Sequence, residues 1–280
     1  MSATASLLFR QLFEPISSTC TYLLGCPETG QAVLVDPVLP AWQRDLEVLG
    51  SLDLRLVATI ETHIHADHLT SASLLKREVG SRIAVAALDA LPCADIGIED
   101  GVPLQFGSLR LQPMHTPGHT DHHFALLCGD RLFTGDALLI DGCGRTDFQS
   151  GDAAMLYRSV RGKLFALPGE TLVYPAHDYQ GRRVSSIEQE RQRNPRLGGD
   201  RTIEEFVALM AGLDLPYPKF IDHAVPGNLQ CGACPPGLPE HLRHYCEPAQ
   251  TLDSSAGAVP ASRAAPGSPV TSPGQSTPTP

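Results

Sequence analysis

Short apolar, β-branched runs alternate with stretches whose apolar residues recur at helical spacing, and the two periods divide most of the chain into elements. Tyr22-Leu23-Leu24 and Ala32 to Val35 read as strands joined by the turn Gly25 to Gly30, a hairpin that Asp36-Pro37 ends. Trp42, Leu46 and Leu49 share one helical face, after which Leu56 to Ile60 returns to strand and Leu69 to Val79 suits a helix. Further strands are expected at Ile83–Val85, Leu104–Phe106, Leu109–Leu111, Phe124–Leu127, Arg131–Phe133 and Leu172–Tyr174. Helices are expected at Ala153–Phe165, Ser185–Arg193 and Thr202–Met210. Short hairpins mixed with helices predict packed sheets flanked by helices, not a doubly wound parallel sheet. The pattern stops at Glu247: 26 of the last 34 residues are Pro, Ser, Thr, Ala or Gly. Such a segment buries too little apolar surface to offset the entropy of ordering, so a folded domain over residues 1–246 and a disordered tail over 247–280 are expected.

Composition narrows the partners. Lys and Arg number 21 against 31 Asp and Glu, a formal charge of -10 that opposes general attraction to nucleic acid or anionic lipid. Local Arg or Lys residues can still receive an anionic small molecule within a cleft. Met1 to Phe13 shows no secretory signal, and no apolar run approaches the roughly 18 to 20 residues that span a bilayer, so a cytoplasmic protein is expected. The eight cysteines, Cys20, Cys26, Cys93, Cys128, Cys143, Cys231, Cys234 and Cys246, lack the spacing of a small disulfide scaffold and are expected to be mostly reduced thiols. Cys231-x-x-Cys234 by itself is weak support for redox or metal chemistry.

The chemistry concentrates behind the strand ends. Thr62-His63-Ile64-His65-Ala66-Asp67-His68 follows Val57 to Ile60, and His119, Asp136 and His177 each follow a later apolar run. Alternation in an extended segment lets His63 and His65 point the same way, while a turn after Ala66 brings Asp67 and His68 into the neighbouring volume. Imidazoles suit Zn and Fe alike, and a carboxylate hardens the set toward Fe or Mn. One lone histidine would be read as a hydrogen-bonded core or surface residue, but the cluster reverses that reading for His63, His119 and Asp136. His65, Asp67, His68 and His177 are expected either to hold a second ion or to orient water on the first. His115, His122 and His123 lie near the motif as bystanders or supports. Gly118 and Gly135, each directly before a candidate ligand, permit close approaches that a Cβ would hinder.

The order Thr62-His63-x-His65-x-Asp67-His68, His119, Asp136, His177 resembles the metallo-β-lactamase superfamily, which implies an αββα sandwich with metal at one sheet edge. Within it, Gln11 to Pro15, Thr21 to Gly25, Val35 to Val38, Phe133 to Ile140, Gly142 to Gln149, Tyr174 to Tyr179 and Asn194 to Leu197 are similar to the persulfide dioxygenase family, over roughly residues 9 to 232. The resemblance implies one Fe(II) on His63, His119 and Asp136, a two-His, one-carboxylate face that leaves positions open. It also implies oxidation of glutathione persulfide by O2 and water to sulfite and glutathione. Arg145 and Arg196 are candidates for the glutathione carboxylates, with Tyr179 adding a phenol contact; a homodimer is left open. The run Thr120 to His123, Cys234 and the tail depart from the family pattern. The alternative is a dinuclear thioesterase of the glyoxalase II type, with Asp136 bridging two ions. Against it stand the Gly142 to Gln149 segment and the short C-terminal region. A metal-bearing scaffold that recruits partners through the tail is the third reading.

Overall fold

The structure is a computed structural model that describes residues 7–246; the expected tail lies outside the described residues. Two six-stranded sheets pack face to face. The first runs in order through β1 (Leu8–Glu14), β2 (Thr19–Cys26), β3 (Gln31–Val35), β4 (Arg55–Ile60), β5 (Arg82–Ala86) and β6 (Ile96–Ile98), with antiparallel pairing up to β3 and parallel pairing after it. The second contains β7 (Leu104–Phe106), β8 (Leu109–His115), β9 (Phe124–Cys128), β10 (Arg131–Gly135), β11 (Leu172–Pro175) and the two-residue β12 (Ser185–Ser186). All of its pairs are antiparallel except β10 with β11. Helices α1 (Trp42–Ser51) and α2 (Ala72–Val79) belong to the first sheet, and α3 (Ala153–Ser159), α4 (Ile187–Arg193) and α5 (Ile203–Ala211) to the second. A last helix, α6 (Ile221–Asn228), follows. The expected αββα sandwich is the architecture found.

Strand periodicity explains the layering. Central strands are covered on both faces, so neighbouring residues enter different cores. Tyr22, Leu24, Val33, Val35, Phe124, Leu126 and Phe133 fill the space between the sheets. Leu23, Leu34 and Leu56 point the other way, onto Leu49 of α1 and Leu75 of α2. Ala125, Leu132 and Val173 likewise meet Leu156, Ile187 and Phe206 on the second helical layer. The Tyr22 hydroxyl, buried between the sheets, donates to the Pro175 carbonyl at 2.5 Å and so satisfies its polar atom across the layers.

Several boundaries differ from the sequence expectation. Leu69 to Ser71 stay outside α2 because their backbone groups bond elsewhere: Leu39 N–H donates to Leu69 O and Ser71 N–H to Pro37 O. The helix expected through Phe165 widens into a π-turn at Val160–Leu164, and Ser185-Ser186 pairs with β11 before α4 begins. Strands β1 and β6 and helix α6 went unread; Pro226 inside α6 masked its pattern. The cysteine expectation is corrected in part. Cys93 pairs with Cys231 and Cys234 with Cys246, while Cys20, Cys26, Cys128 and Cys143 are buried free thiols. Cys93 and Cys231 lie 138 positions apart, and only the packing of the C-terminal segment under the first sheet brings them together. Among the described residues no helix is long and apolar enough to cross a membrane.

Asp45 on α1 is fully buried, and among the described residues only Arg44 bonds its carboxylate, leaving Oδ2 without a partner there. Burial pushes its pKa up to about 6, against the pull of Arg44. An acid whose folded pKa is raised favours folding only while protonated, so its contribution falls as pH rises from the unfolded value of about 4 to 6 and stays lost above. Asp45→Asn should therefore unfold less readily than the parent at pH 7.5, by about 2 kcal/mol, with the advantage gone at pH 4. Urea unfolding of both proteins across that range checks it.

Candidate metal centre

Strand register delivers the polar residues to one end of the sandwich. Val35 of β3 pairs with Ile60 of β4, so Asp36 and the loop Glu61–Ser71 leave the first sheet together. Gly135 of β10 pairs with Pro175 of β11 after a bulge, so Asp136 and His177 leave the second sheet side by side. His119 lies in the β8–β9 connection, and Phe124 N–H donates to Thr62 O, tying that connection to the first sheet. His63, His119 and Asp136 thereby each present one ligand atom, all within 4.8 Å of one another. A separate set, His65, Asp67 and His68, converges in the same way.

Hydrogen bonds fix which nitrogen each ring offers. His119 Nδ1–H donates to Arg145 O at 2.7 Å, leaving Nε2 facing Asp136 Oδ2 at 3.4 Å. Thr62 Oγ1 donates to Asp36 Oδ2, so toward His63 Nδ1, 3.0 Å away, it serves as acceptor; His63 Nδ1 carries the proton and Nε2 is free. His177 Nδ1–H donates to Ser18 O at 3.0 Å, and its Nε2 lies 3.6 Å from both Asp67 and Asp136. A metal-ligating imidazole is oriented by such a bond at its other nitrogen. Asp136 Oδ1, His65 Nδ1 and His68 Nε2, buried and without partners among the described residues, face this region. Unpaired buried polar atoms are costly, and a bound cation would satisfy them, so the donor set fits a metal ion.

Protonation follows the surroundings. Burial, reinforced by His65 and His119, holds His63 well below the ordinary histidine range, so the ring stays neutral. At His65 burial opposes charge, yet Asp36 at 3.1 Å, with Asp67 and Glu61, outweighs it and lifts the ring to about 9. His177 is raised as well: burial works against it, and Asp136 and Asp67 prevail.

His123 proves to be more than a bystander. Asp136 N–H donates to His123 Nε2 at 3.1 Å, which puts the ring proton on Nδ1, directed at Thr116 Oγ1 2.8 Å away. A buried neutral imidazole thus sets the backbone that carries Asp136. Gly135, with φ +49, makes room for it, since a Cβ there would meet His123 Nε2 at 2.5 Å. His123→Phe should weaken metal binding by about 10- to 100-fold, the usual cost of losing a ligand's support. Fe(II) titration of both proteins measures it, and an unchanged affinity would remove His123 from the centre. Asp36 and Glu61 were missed. Glu61 is buried and accepts from Thr70 Oγ1 at 2.6 Å, burial pushing its carboxyl to about 8 against the pull of His65.

The expected substrate residues line the cleft outside the metal set. Arg145 is paired through two bonds with Asp147, donates to Pro216 O and stacks on Phe148. Arg196 donates to the Cys143 carbonyl at 2.9 Å, and the exposed Tyr179 ring lies parallel to His177. Arg182, also at the cleft, bonds Asp178 and Asp141. His115 and His122 stay outside, bonding Asp121 O and Asp89.

Residues 15–177 match the model of the metallo-beta-lactamase superfamily. The chain is 49% identical over 235 residues to the human mitochondrial persulfide dioxygenase ETHE1, covering 83% of this chain and 91% of that one. The crystal structure of ETHE1 from Myxococcus xanthus superposes with a TM-score of 0.79 at 49% identity, over 80% of this chain and 99% of that one. A hydroxyacylglutathione hydrolase from Cereibacter sphaeroides is 34% identical over 168 residues, 59% of this chain and 64% of its own length.

Proposed function

The chain belongs to the metallo-beta-lactamase superfamily and within it to the persulfide dioxygenases, and from that membership we propose that it oxidises glutathione persulfide with O2 and water to sulfite and glutathione. His63, His119 and Asp136 would hold one Fe(II). The observation that carries the reading is their convergence beside an open cleft, both imidazoles with Nδ1 protons tied back and His119 Nε2 facing the carboxylate. When bound, iron supplies the redox chemistry and open coordination positions for O2 and a sulfur ligand.

The chain supplies position and proton control. The neutral His63 remains ready to ligate across physiological pH, because its burial disfavours the imidazolium. His177 places Nε2 between Asp67 and Asp136, whose charges favour a proton there against the pull of burial. Asp67, His65 and His68 orient water there. Arg196 and Arg145 would receive the substrate carboxylates, Arg145 by exchanging its Asp147 partner, with Tyr179 closing over the glutathione chain. Holding both reactants next to each other converts an improbable encounter into an intramolecular one.

The convergence of His65, Asp67 and His68 favours a second reading, a dinuclear thioesterase. Metal analysis combined with oxygen uptake decides between them. One iron per chain, with O2 consumed and sulfite formed from glutathione persulfide, is the expected result. Two metals with cleavage of a glutathione thioester and no oxygen uptake would overturn it. Cytoplasmic placement belongs to the same reading; the human relative is named mitochondrial, and fractionation of the tagged full-length chain separates the two.

A further inference from the structure

Behind the metal loop, the C-terminal segment holds it by its backbone. Asn228, at the end of α6 and buried, accepts Thr70 N–H on Oδ1 at 3.0 Å. Its Nδ2 donates to the carbonyls of His65 at 2.9 Å and His68 at 2.8 Å. One side chain thus ties three backbone groups of the segment that carries His63, His65, Asp67 and His68. The end of α6 and the turn after it press on the same segment. A Cβ on Gly227 would meet Leu69 Cδ2 at 2.4 Å, and one on Gly232 would meet Thr70 O at 1.9 Å. Ser73 N–H donates to Cys231 O at 3.1 Å.

Cys231 itself sits at φ +55, a left-handed conformation that a side chain disfavours, and its sulfur is bonded to Cys93. Cys93 follows β5, packs with Leu91 and Ala94 beside Ile83 and Val85, and is half-buried, whereas Cys231 is 1% exposed. The disulfide therefore anchors the Asn228 turn to the body of the first sheet, with Cys93 the more exposed residue of the pair.

We propose that Cys93–Cys231 is a thiol-reactive site that sets the metal affinity of the loop, with Asn228 as the positioning residue through which it acts. The inference rests on the reading that residues 63–68 border the metal. A low-molecular-weight thiolate attacks Sγ of Cys93, the more exposed residue of the pair; the S–S bond breaks and its electron pair leaves on Cys231 Sγ, which takes a proton from water. A second thiolate attacks the mixed disulfide, releasing Cys93 as a thiolate that is protonated and the two small thiols as their disulfide. The protein gains two electrons and two protons. The turn at Cys231 then relaxes from its left-handed conformation, and Asn228 loses its hold on His65, His68 and Thr70. Glutathione, a product of the proposed reaction, belongs to this class of thiol.

The test uses the full-length chain, either oxidised or treated with dithiothreitol that is then removed and the new thiols alkylated, with Fe(II) affinity and amide exchange over residues 63–71 as readouts. Reduction should weaken Fe(II) binding by about tenfold and speed exchange in that segment while β10 stays protected. Cys93→Ser should show the weakened state before treatment and no further change after it. Cys234→Ser, which removes the other disulfide, should keep the full response. Asn228→Ala should match the reduced parent and respond to dithiothreitol by less than about threefold, a non-additivity that mere loss of stability does not produce. Native protein in which both Cys93 and Cys231 alkylate without reductant would overturn the proposal. So would verified cleavage of that bond with unchanged affinity and exchange. A parent chain that binds no Fe(II) would instead overturn the metal-centre reading, and absent oxygen uptake the dioxygenase reading.

Discussion

Asp136→Ala will lose its metal: bound iron should fall below about a tenth per chain, and persulfide-dependent oxygen uptake should drop by more than the roughly 100-fold that loss of a supporting residue costs. Asp136 is the one carboxylate in the converging set, and its anionic oxygens face two ring nitrogens, His119 Nε2 at 3.4 Å and His177 Nε2 at 3.6 Å. Two neutral imidazoles alone hold a divalent ion poorly, because nothing then offsets its charge in a buried site. The fold should survive. Asp136 Oδ1 has no hydrogen-bond partner among the described residues, so truncation removes an unsatisfied atom and leaves the backbone bond to His123 in place. Thermal melting of metal-free parent and variant should agree within a few degrees, separating a ligand effect from unfolding. Asp136→Asn keeps the shape and should fail almost as badly, since the amide lacks the charge. A variant that retained one tightly bound iron and activity within tenfold of the parent would remove Asp136 from the ligand set.

Gly118→Ala should be strongly destabilising for so small a change. Gly118 has φ +135, and an added Cβ would lie 2.2 Å from Leu156 N and 2.3 Å from Leu156 Cα. Those are backbone atoms of α3, and no rotamer change moves them aside. The contact is held from both ends: Asp152 N–H donates to Gly118 O, and Gly118 N–H to Thr120 O. A disfavoured backbone region costs about 1–3 kcal/mol and forced overpacking about 1–3 more. Urea unfolding should therefore show a loss of roughly 2–6 kcal/mol, a large share of a domain's stability. Gly129→Ala is the control: its φ is +60, yet nothing lies within 4 Å of the added Cβ, so only the backbone term of about 1–2 kcal/mol applies. Because His119 is the next residue, Gly118→Ala should also weaken Fe(II) binding. Equal stability of the two alanine variants would mean that the α3 contact is not rigid.

These two glycines illustrate how far the chain could be read. Gly118 and Gly135 stood out as residues placed directly before candidate ligands, but which atoms each must avoid, Leu156 in one case and His123 in the other, depends on residues 38 and 12 positions away. The ligand run was legible because it is local: His63, His65, Asp67 and His68 fall within six positions, behind a strand whose alternation is plain. His119, Asp136 and His177 were legible for a related reason, each following an apolar run and so placed at a strand end. Their supports were not. His123 looks like one of several neighbouring histidines until the backbone of Asp136 is seen to donate to it. Asn228 carries no local signal, since its partners His65, His68 and Thr70 precede it by about 160 residues.

From the amino-acid order alone came the alternation of strand and helix, the sandwich it implies, the donor residues at the strand ends and the family they resemble. Each of these depends on side-chain period and residue type, which survive without knowledge of what lies opposite. The folded chain decided which nitrogen every histidine presents, which carboxylates crowd His65, how Arg145 is already paired, and that Cys93 meets Cys231. Those follow from contacts between segments far apart in sequence, where register and packing choose the partner and local propensity carries no information about the choice.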